Sequence, residues 1–173
     1  MKKQDISENL VNQAYLAIGS NLGNKINNIE IAKFELEKYK IKILKSSSNY
    51  ISESWPDPSL SKYINIVIKI KTSLTPLELL EACNIVELKL GRIRAKKNSP
   101  RTCDIDIIDY DNKILDKLNS KLILPHPRLC RRNFVLLPLY EIDKSWKHPK
   151  FNINIAKLIN SLPIKDLRSI KQL

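Results

Sequence analysis

With 173 residues, 43% apolar and 28% charged, the chain is long enough for one domain with a real hydrophobic core and too balanced for a disordered segment. No stretch approaches the roughly 18 apolar residues of a membrane span, and Met1-Lys2-Lys3-Gln4-Asp5 leads into no signal-peptide core, so a cytoplasmic protein without a membrane partner is expected. The formal net charge of +12 suits an anionic partner, nucleotide or nucleic acid, but lysine is spread along the whole chain, which weakens that reading.

Residues 14–18 read as a short apolar strand, stopped by Gly19-Ser20-Asn21-Leu22-Gly23. Ile26, Ile29, Ala32, Leu36 and Tyr39 recur at helical spacing, which predicts a first helix from about 25 to 40. Residues 41–49 are expected as a strand. The segment Trp55-Pro56-Asp57-Pro58-Ser59 is expected as a loop, because two prolines exclude regular structure. Residues 63–71 alternate, with Ile64, Ile66, Ile68 and Ile70 on the core face and Tyr63 and Asn65 sharing the other. Thr75 as N-cap, Pro76 at N1 and Glu78 at N3 mark a second helix, and Gly91 supplies its stop. A strand carrying Asp104 and Asp106 follows, then a turn at Asp111-Asn112 and a short strand near Ile114-Leu115. A short helix over 134–140 and a last helix over 153–160 complete the reading. Strand–helix–strand–strand–helix–strand is the order of a ferredoxin-like α+β sandwich, a mainly antiparallel sheet with helices covering one face. Cys83, Cys103 and Cys130 are odd in number and show no CxxC pair, which argues for reduced thiols, those at 83 and 103 buried.

The chemistry concentrates in Pro100-Arg101-Thr102-Cys103-Asp104-Ile105-Asp106-Ile107-Ile108. Side chains alternate in a strand, so Asp104 and Asp106 point the same way with Cα atoms roughly 6–7 Å apart, while Ile105 and Ile107 turn to the core. Two like charges on a half-buried face repel unless a cation lies between them. Oxygen ligands on a rigid strand with open positions suit Mg²⁺, which keeps waters and shares its shell with phosphates. Arg92, Arg94, Lys96, Lys97 and Arg101 crowd the approach to this strand. Guanidinium forks match phosphate oxygens, and such a loop beside such a strand is what transfer from a nucleoside triphosphate needs. Taken singly, the aspartates also fit an edge strand with solvated carboxylates, and the basic run a solvated face or a nucleic-acid patch.

Further donors gather at Pro125-His126-Pro127-Arg128 and Arg131-Arg132-Asn133-Phe134, where His126 is held between prolines and placed to reach a phosphate. His148 has no such company, and neither histidine has the neighbours of a zinc site. The loop 19–23 sits between a strand and a helix, suited to close approach of a ligand or simply to a capped turn; it lacks the GKS of a Walker A loop. Trp55 is either a lid or packing. Tyr63 and Asn65 are either sheet decoration or a stacking ring beside an amide that reads a heterocycle.

The ordered set Ala-Ile-Gly-Ser-Asn-Leu-Gly (17–23), Tyr63-x-Asn65, Gly-Arg-x-Arg (91–94), Pro-Arg-Thr-x-Asp-x-Asp-Ile (100–107), Pro-His (125–126) and Arg-x-Phe-x-Leu-x-Pro-Leu (132–139) resembles the 6-hydroxymethyl-7,8-dihydropterin pyrophosphokinase family. These folate-pathway enzymes move pyrophosphate from ATP to the hydroxymethyl group of the pterin. The resemblance covers roughly residues 14–150 and implies a single catalytic domain over 1–173, with 151–173 as a tail. It implies that Asp104 and Asp106 hold two Mg²⁺ ions and that Arg92 and Arg101 are the main catalytic cations. Glu87, Arg94, Ile107, Lys121, His126 and Arg132 would join Arg92 and Arg101 in binding ATP. Gly19, Ser52, Ser54, Trp55, Tyr63, Asn65 and Phe134 would form the pterin pocket. Its product would pass to dihydropteroate synthase, and no nucleic-acid partner is expected. The chain departs from some members in having Lys97-Asn98-Ser99 where they carry a tryptophan, in a basic loop one residue shorter, and from many in having Ser54 for a proline. The residues themselves leave two rivals open: another two-metal nucleotidyltransferase, which would release pyrophosphate, and a ferredoxin-like nucleic-acid-binding module.

Overall fold

A six-stranded antiparallel sheet organises the chain, described by a computed structural model over residues 11–54, 57–92, 99–116 and 120–173. In chain order the elements are β1 (Asn12–Ser20), α1 (Lys25–Leu36), β2 (Ile41–Ser46), β3 (Tyr50–Ser52), β4 (Tyr63–Thr72), α2 (Pro76–Lys89), β5 (Asp104–Tyr110), a 3₁₀ turn (Leu129–Arg131), α3 (Asn133–Ile142), α4 (Ile155–Asn160), α5 (Ile164–Arg168) and β6 (Ile170–Gln172). The strands run β5-β1-β4-β3-β6, and β2 also pairs with β4. β2 and β3 take successive stretches of one β4 edge, opposite 72–68 and 65–63. With α1 and α2 as crossovers, this is the expected ferredoxin-like α+β arrangement, extended at one edge by β6.

The helices cover both faces of the sheet rather than one. α1 and α2 pack on Ile64, Ile66, Ile68, Ile70, Ile105 and Ile107 in a first core. On the opposite face Tyr15, Val67 and Ile108 lie against Val135, Leu136, Leu139 and Ile142 of α3 and Ile155 and Leu158 of α4. The physical reason is that β1, β4 and β5 each set an apolar side chain, Tyr15, Val67 and Ile108, on the second face as well, and this patch needs a cover.

The capping box at Thr75 and Glu78 is formed, with Pro76 opening α2, and Gly91 ends the turn beyond it at φ +80°. Asp111 and Asn112 form the expected turn, both at positive φ, and the Asp109 carboxylate accepts from the Asn112 N–H at 3.1 Å. The first helix stops at Leu36 rather than near 40, where Lys40 adopts φ 55°. The strand expected over 41–49 breaks into β2 and β3, because Ser47 turns inward and bonds Val67 through both its N–H and its Oγ. The strand expected near 114–115 is a lone bridge between Leu115 and Leu124. α3 is longer than expected, and α4 begins at Ile155 behind an Asn154 cap. Cys83 and Cys103 are buried free thiols, and His148 is buried against Phe151. Among the described residues no helix is long and apolar enough to cross a membrane.

Candidate active site

Strand register assembles the site. Asn65 of β4 lies opposite Gly19 of β1, and Gly19 lies opposite Asp104 of β5; the next row on that face is Val67, Ala17 and Asp106. Residues two apart share a face, so both aspartates stand on the α3 side, while Ile105 and Ile107 enter the first core. Gly19 and Ala17 keep the central strand low between the β4 amide and the carboxylates. A Cβ at position 19 would lie 3.0 Å from Asn65 Oδ1 and 3.5 Å from the Tyr63 ring. Asn65 is buried, and its Nδ2 donates to Ser52 Oγ at 3.0 Å. Ser54 is buried just beyond β3.

Cations neutralise both aspartates. Asp104 accepts from Arg92 at 2.7 Å on one oxygen and from Arg101 at 3.2 Å on the other. Asp106 pairs with Arg132 at 2.5 Å, and His126 Nε2 lies 3.7 Å from the same oxygen. Burial pushes the Asp106 carboxyl up, but His126, Arg132 and Arg128 outweigh it and hold the group below its ordinary range. His126 Nδ1 accepts from the Arg128 N–H at 3.1 Å, so the neutral ring carries its proton on Nε2, toward Asp106. Burial, with Arg132 and Arg128 nearby, lowers the His126 pKa although Asp106 pulls it upward. The His126 N–H donates to Ile108 O at 2.9 Å, which fixes its loop to β5.

Arg92 and Arg101 are each held from behind. Glu87, on the last turns of α2, is 3% exposed; it accepts from the Ile105 N–H at 2.7 Å and pairs closely with Arg92. Burial lifts its carboxyl to about 7, against the pull of the Ile105 N–H and Arg92. Its carboxylate thus meets the site through Arg92. Asn21, also buried, accepts from the Arg101 N–H at 2.8 Å with its side chain and donates its own N–H to Arg101 O at 3.1 Å. Arg132 precedes α3 and Phe134 lies in its first turn, with the guanidinium 5.5 Å from the ring centre.

The structure therefore brings Gly19, Ser52, Tyr63, Asn65, Arg92, Arg101, Asp104, Asp106, His126, Arg132 and Phe134 to one region of the α3 face. The Ile107 side chain is in the first core, which leaves only its main chain for a ligand. Lys121 is exposed on the loop closed by the Leu115–Leu124 bridge, and among the described residues no ion pair joins it to the aspartates. Trp55 and Arg94 lie outside the described residues. Sequence reasoning missed the roles of Asn21 and Asn133. The only available signal was an amide beside a motif residue, which does not say which backbone it will bond.

The donor set fits Mg²⁺: two carboxylates on one strand face, with no group of three or more acidic, cysteine or histidine side chains among the described residues that could close a cage. Such a site leaves positions for water and phosphate oxygens.

Comparison with known proteins gives the family. The family model for 7,8-dihydro-6-hydroxymethylpterin-pyrophosphokinase (HPPK) matches residues 15–144. A 2-amino-4-hydroxy-6-hydroxymethyldihydropteridine pyrophosphokinase of Synechocystis is 37% identical over 86% of this chain and 75% of its own length. A folic acid synthesis protein fol1 of Pneumocystis carinii is 37% identical over 95% of this chain, which spans only 22% of that protein. Among solved structures, a Plasmodium falciparum HPPK-DHPS with pterin and p-hydroxybenzoate shares the fold at TM-score 0.73 and 17% identity, over 96% of this chain and 48% of that one. On the motif match and these relatives together, the chain belongs to the 7,8-dihydro-6-hydroxymethylpterin-pyrophosphokinase family.

Proposed function

We propose that this chain transfers pyrophosphate from ATP to the hydroxymethyl group of 6-hydroxymethyl-7,8-dihydropterin, giving the pterin diphosphate and AMP. The observation that carries the reading is the row Asn65–Gly19–Asp104, which sets a small-residue hollow with a buried amide directly beside two cation-flanked carboxylates. A heterocycle in the hollow would place its hydroxymethyl arm at the carboxylates. Tyr63 and Phe134 supply rings, and the Asn65 amide, fixed by Ser52, reads the ring edge.

The hydroxyl oxygen attacks the β-phosphorus in line, and the bond from that phosphorus to the oxygen bridging the α-phosphate breaks, so AMP leaves with the electron pair. Asp104 and Asp106 would hold two Mg²⁺ ions, whose chemistry there would be to neutralise phosphate charge. Arg92 and Arg101 face that charge, the Arg92 fork aimed by Glu87 and the Arg101 fork by the Ser99 carbonyl with its main chain pinned by Asn21, while Arg132 and His126 flank Asp106. Pre-aimed donors cost little reorganisation when charge develops on the bridging oxygen. The hydroxyl proton is given up to solvent water as the new bond to phosphorus forms. The HPPK-DHPS chains among the solved neighbours support a product that passes on to dihydropteroate synthase.

Product analysis tests the reading. With ATP, Mg²⁺ and the pterin, AMP should form only when the pterin is present. Release of pyrophosphate would instead support a nucleotidyltransferase, and folded protein that forms no AMP would overturn the proposal.

A further inference from the structure

The C-terminal segment lies beyond the stretch matched by the family model, yet it grips two walls of the site. The first grip is on Asn133, the opening residue of α3. Its Nδ2 donates to Asp166 O at 2.5 Å and to Ser169 Oγ at 3.1 Å, while its Oδ1 accepts from the Phe134 N–H at 2.7 Å. One buried amide thus joins α5 to the backbone of the aromatic residue at the site.

The second grip is on β3. β6 pairs with it antiparallel, setting Ile170 opposite Ser52 and Lys171 opposite Ile51. Beyond that ladder the Leu173 N–H donates to Asn49 O at 2.9 Å, and Gln172 Nε2 donates to Ser48 Oγ at 2.9 Å. Without β6, the three residues of β3 would form a short edge held on one side only. Ser52 is the partner that fixes the Asn65 amide. Ile170 is buried, and Leu162 and Leu167 pack against the second core, so the segment is itself anchored. The aspartates and Arg92 and Arg101 are held instead by β5, α2 and Asn21.

We infer that residues 163–173 are a positioning element for the pterin side of the site, acting on Phe134 through Asn133 and on the Ser52–Asn65 pair through β3. The inference rests on the functional reading above. Loosening this segment lowers affinity for the heterocycle while leaving the triphosphate site intact.

The test uses Asn133→Ala and Lys171→Pro in the full chain. Lys171 is exposed, and the alternation that puts the Leu173 N–H on Asn49 puts the Lys171 N–H on Ile51, so proline deletes a ladder donor and little else. Binding of 6-hydroxymethylpterin is read by its fluorescence, and binding of α,β-methylene ATP with Mg²⁺ by calorimetry. Each variant, with an unchanged far-UV spectrum, should weaken pterin binding about tenfold, the effect of one lost hydrogen bond, with the ATP analogue held within about twofold. The KM for the pterin should rise more than kcat falls. Unchanged pterin affinity in a folded variant overturns the inference, as does equal weakening of both ligands. Should the variants not fold, hydrogen exchange on the wild-type protein decides: pterin should slow the amides of 163–173 together with those of 50–52 and 133–135. No slowing in 163–173 overturns the inference, whereas wild-type protein that binds no pterin refutes the functional reading itself.

Discussion

One methyl group at Gly19 probes the hollow directly. Gly19 lies within β1 between Asn65 and Asp104, on extended backbone that alanine also adopts. The new Cβ would lie 3.0 Å from Asn65 Oδ1, tighter than ordinary contact, and 3.5 Å from the Tyr63 ring, which is ordinary contact. The amide must therefore give by a few tenths of an ångström, and it is tied to Ser52 at 3.0 Å. Weakening that bond costs about 1 kcal/mol and an off-rotamer amide about another. Replacing glycine within a strand returns about 0.5–1 kcal/mol. The net for Gly19→Ala is a destabilisation of about 1 kcal/mol, or about 2–4 °C in Tm for a chain of this size. The same displacement moves the group assigned to read the pterin, so the KM for the pterin should rise about tenfold, with the KM for ATP unchanged. AMP formation at saturating ATP and varied pterin measures the first, and a thermal melt the second. In an Asn65→Ala background the clash is gone, so the two substitutions should be strongly non-additive. An unchanged pterin KM, or strict additivity, refutes the placement of the hollow.

Asp104→Ala should abolish AMP formation while leaving the far-UV spectrum intact; near-normal turnover would remove the metal assignment. Chelation by EDTA should stop the reaction and added Mg²⁺ restore it, with no shift in the melting curve beyond a degree or so, since Asp104 and Asp106 already have cationic partners. Glu87 has a pH signature. Burial lifts its carboxyl from 4.5 to about 7, so the native state keeps a proton that the unfolded chain releases. Its contribution is full below about pH 4.5 and is lost as pH rises through 7, a change of about 3 kcal/mol. Urea midpoints should therefore fall from about pH 5 to about pH 8 in the wild type more steeply than in Glu87→Gln; parallel slopes would mean that Glu87 is already ionised throughout.

Local rules in the sequence determine much of this protein. The alternation of Asp104, Ile105, Asp106 and Ile107 sets two carboxylates on one face because successive side chains of a strand must oppose each other. Thr75, Pro76, Glu78 and Gly91 delimit α2 because orphan backbone groups at helix ends need those partners. The resemblance motifs named Gly19, Tyr63, Asn65, Arg92, Arg101, Asp104, Asp106, His126, Arg132 and Phe134, which the fold brings to one face. What only the tertiary structure decided are pairings distant along the chain. The β1 register seats Gly19 between Asn65 and Asp104, Asn21 reaches Arg101, and Glu87 reaches across to β5 and Arg92. The second core was hidden as well, because a helix expected over 134–140 does not by itself say which face of the sheet it will cover. Residues 163–173 had no legible role, since a three-residue strand has no pattern of its own and is defined only by the edge it finds on β3. Periodicity acts over a turn or a strand; register and side-chain reach depend on the whole sheet closing.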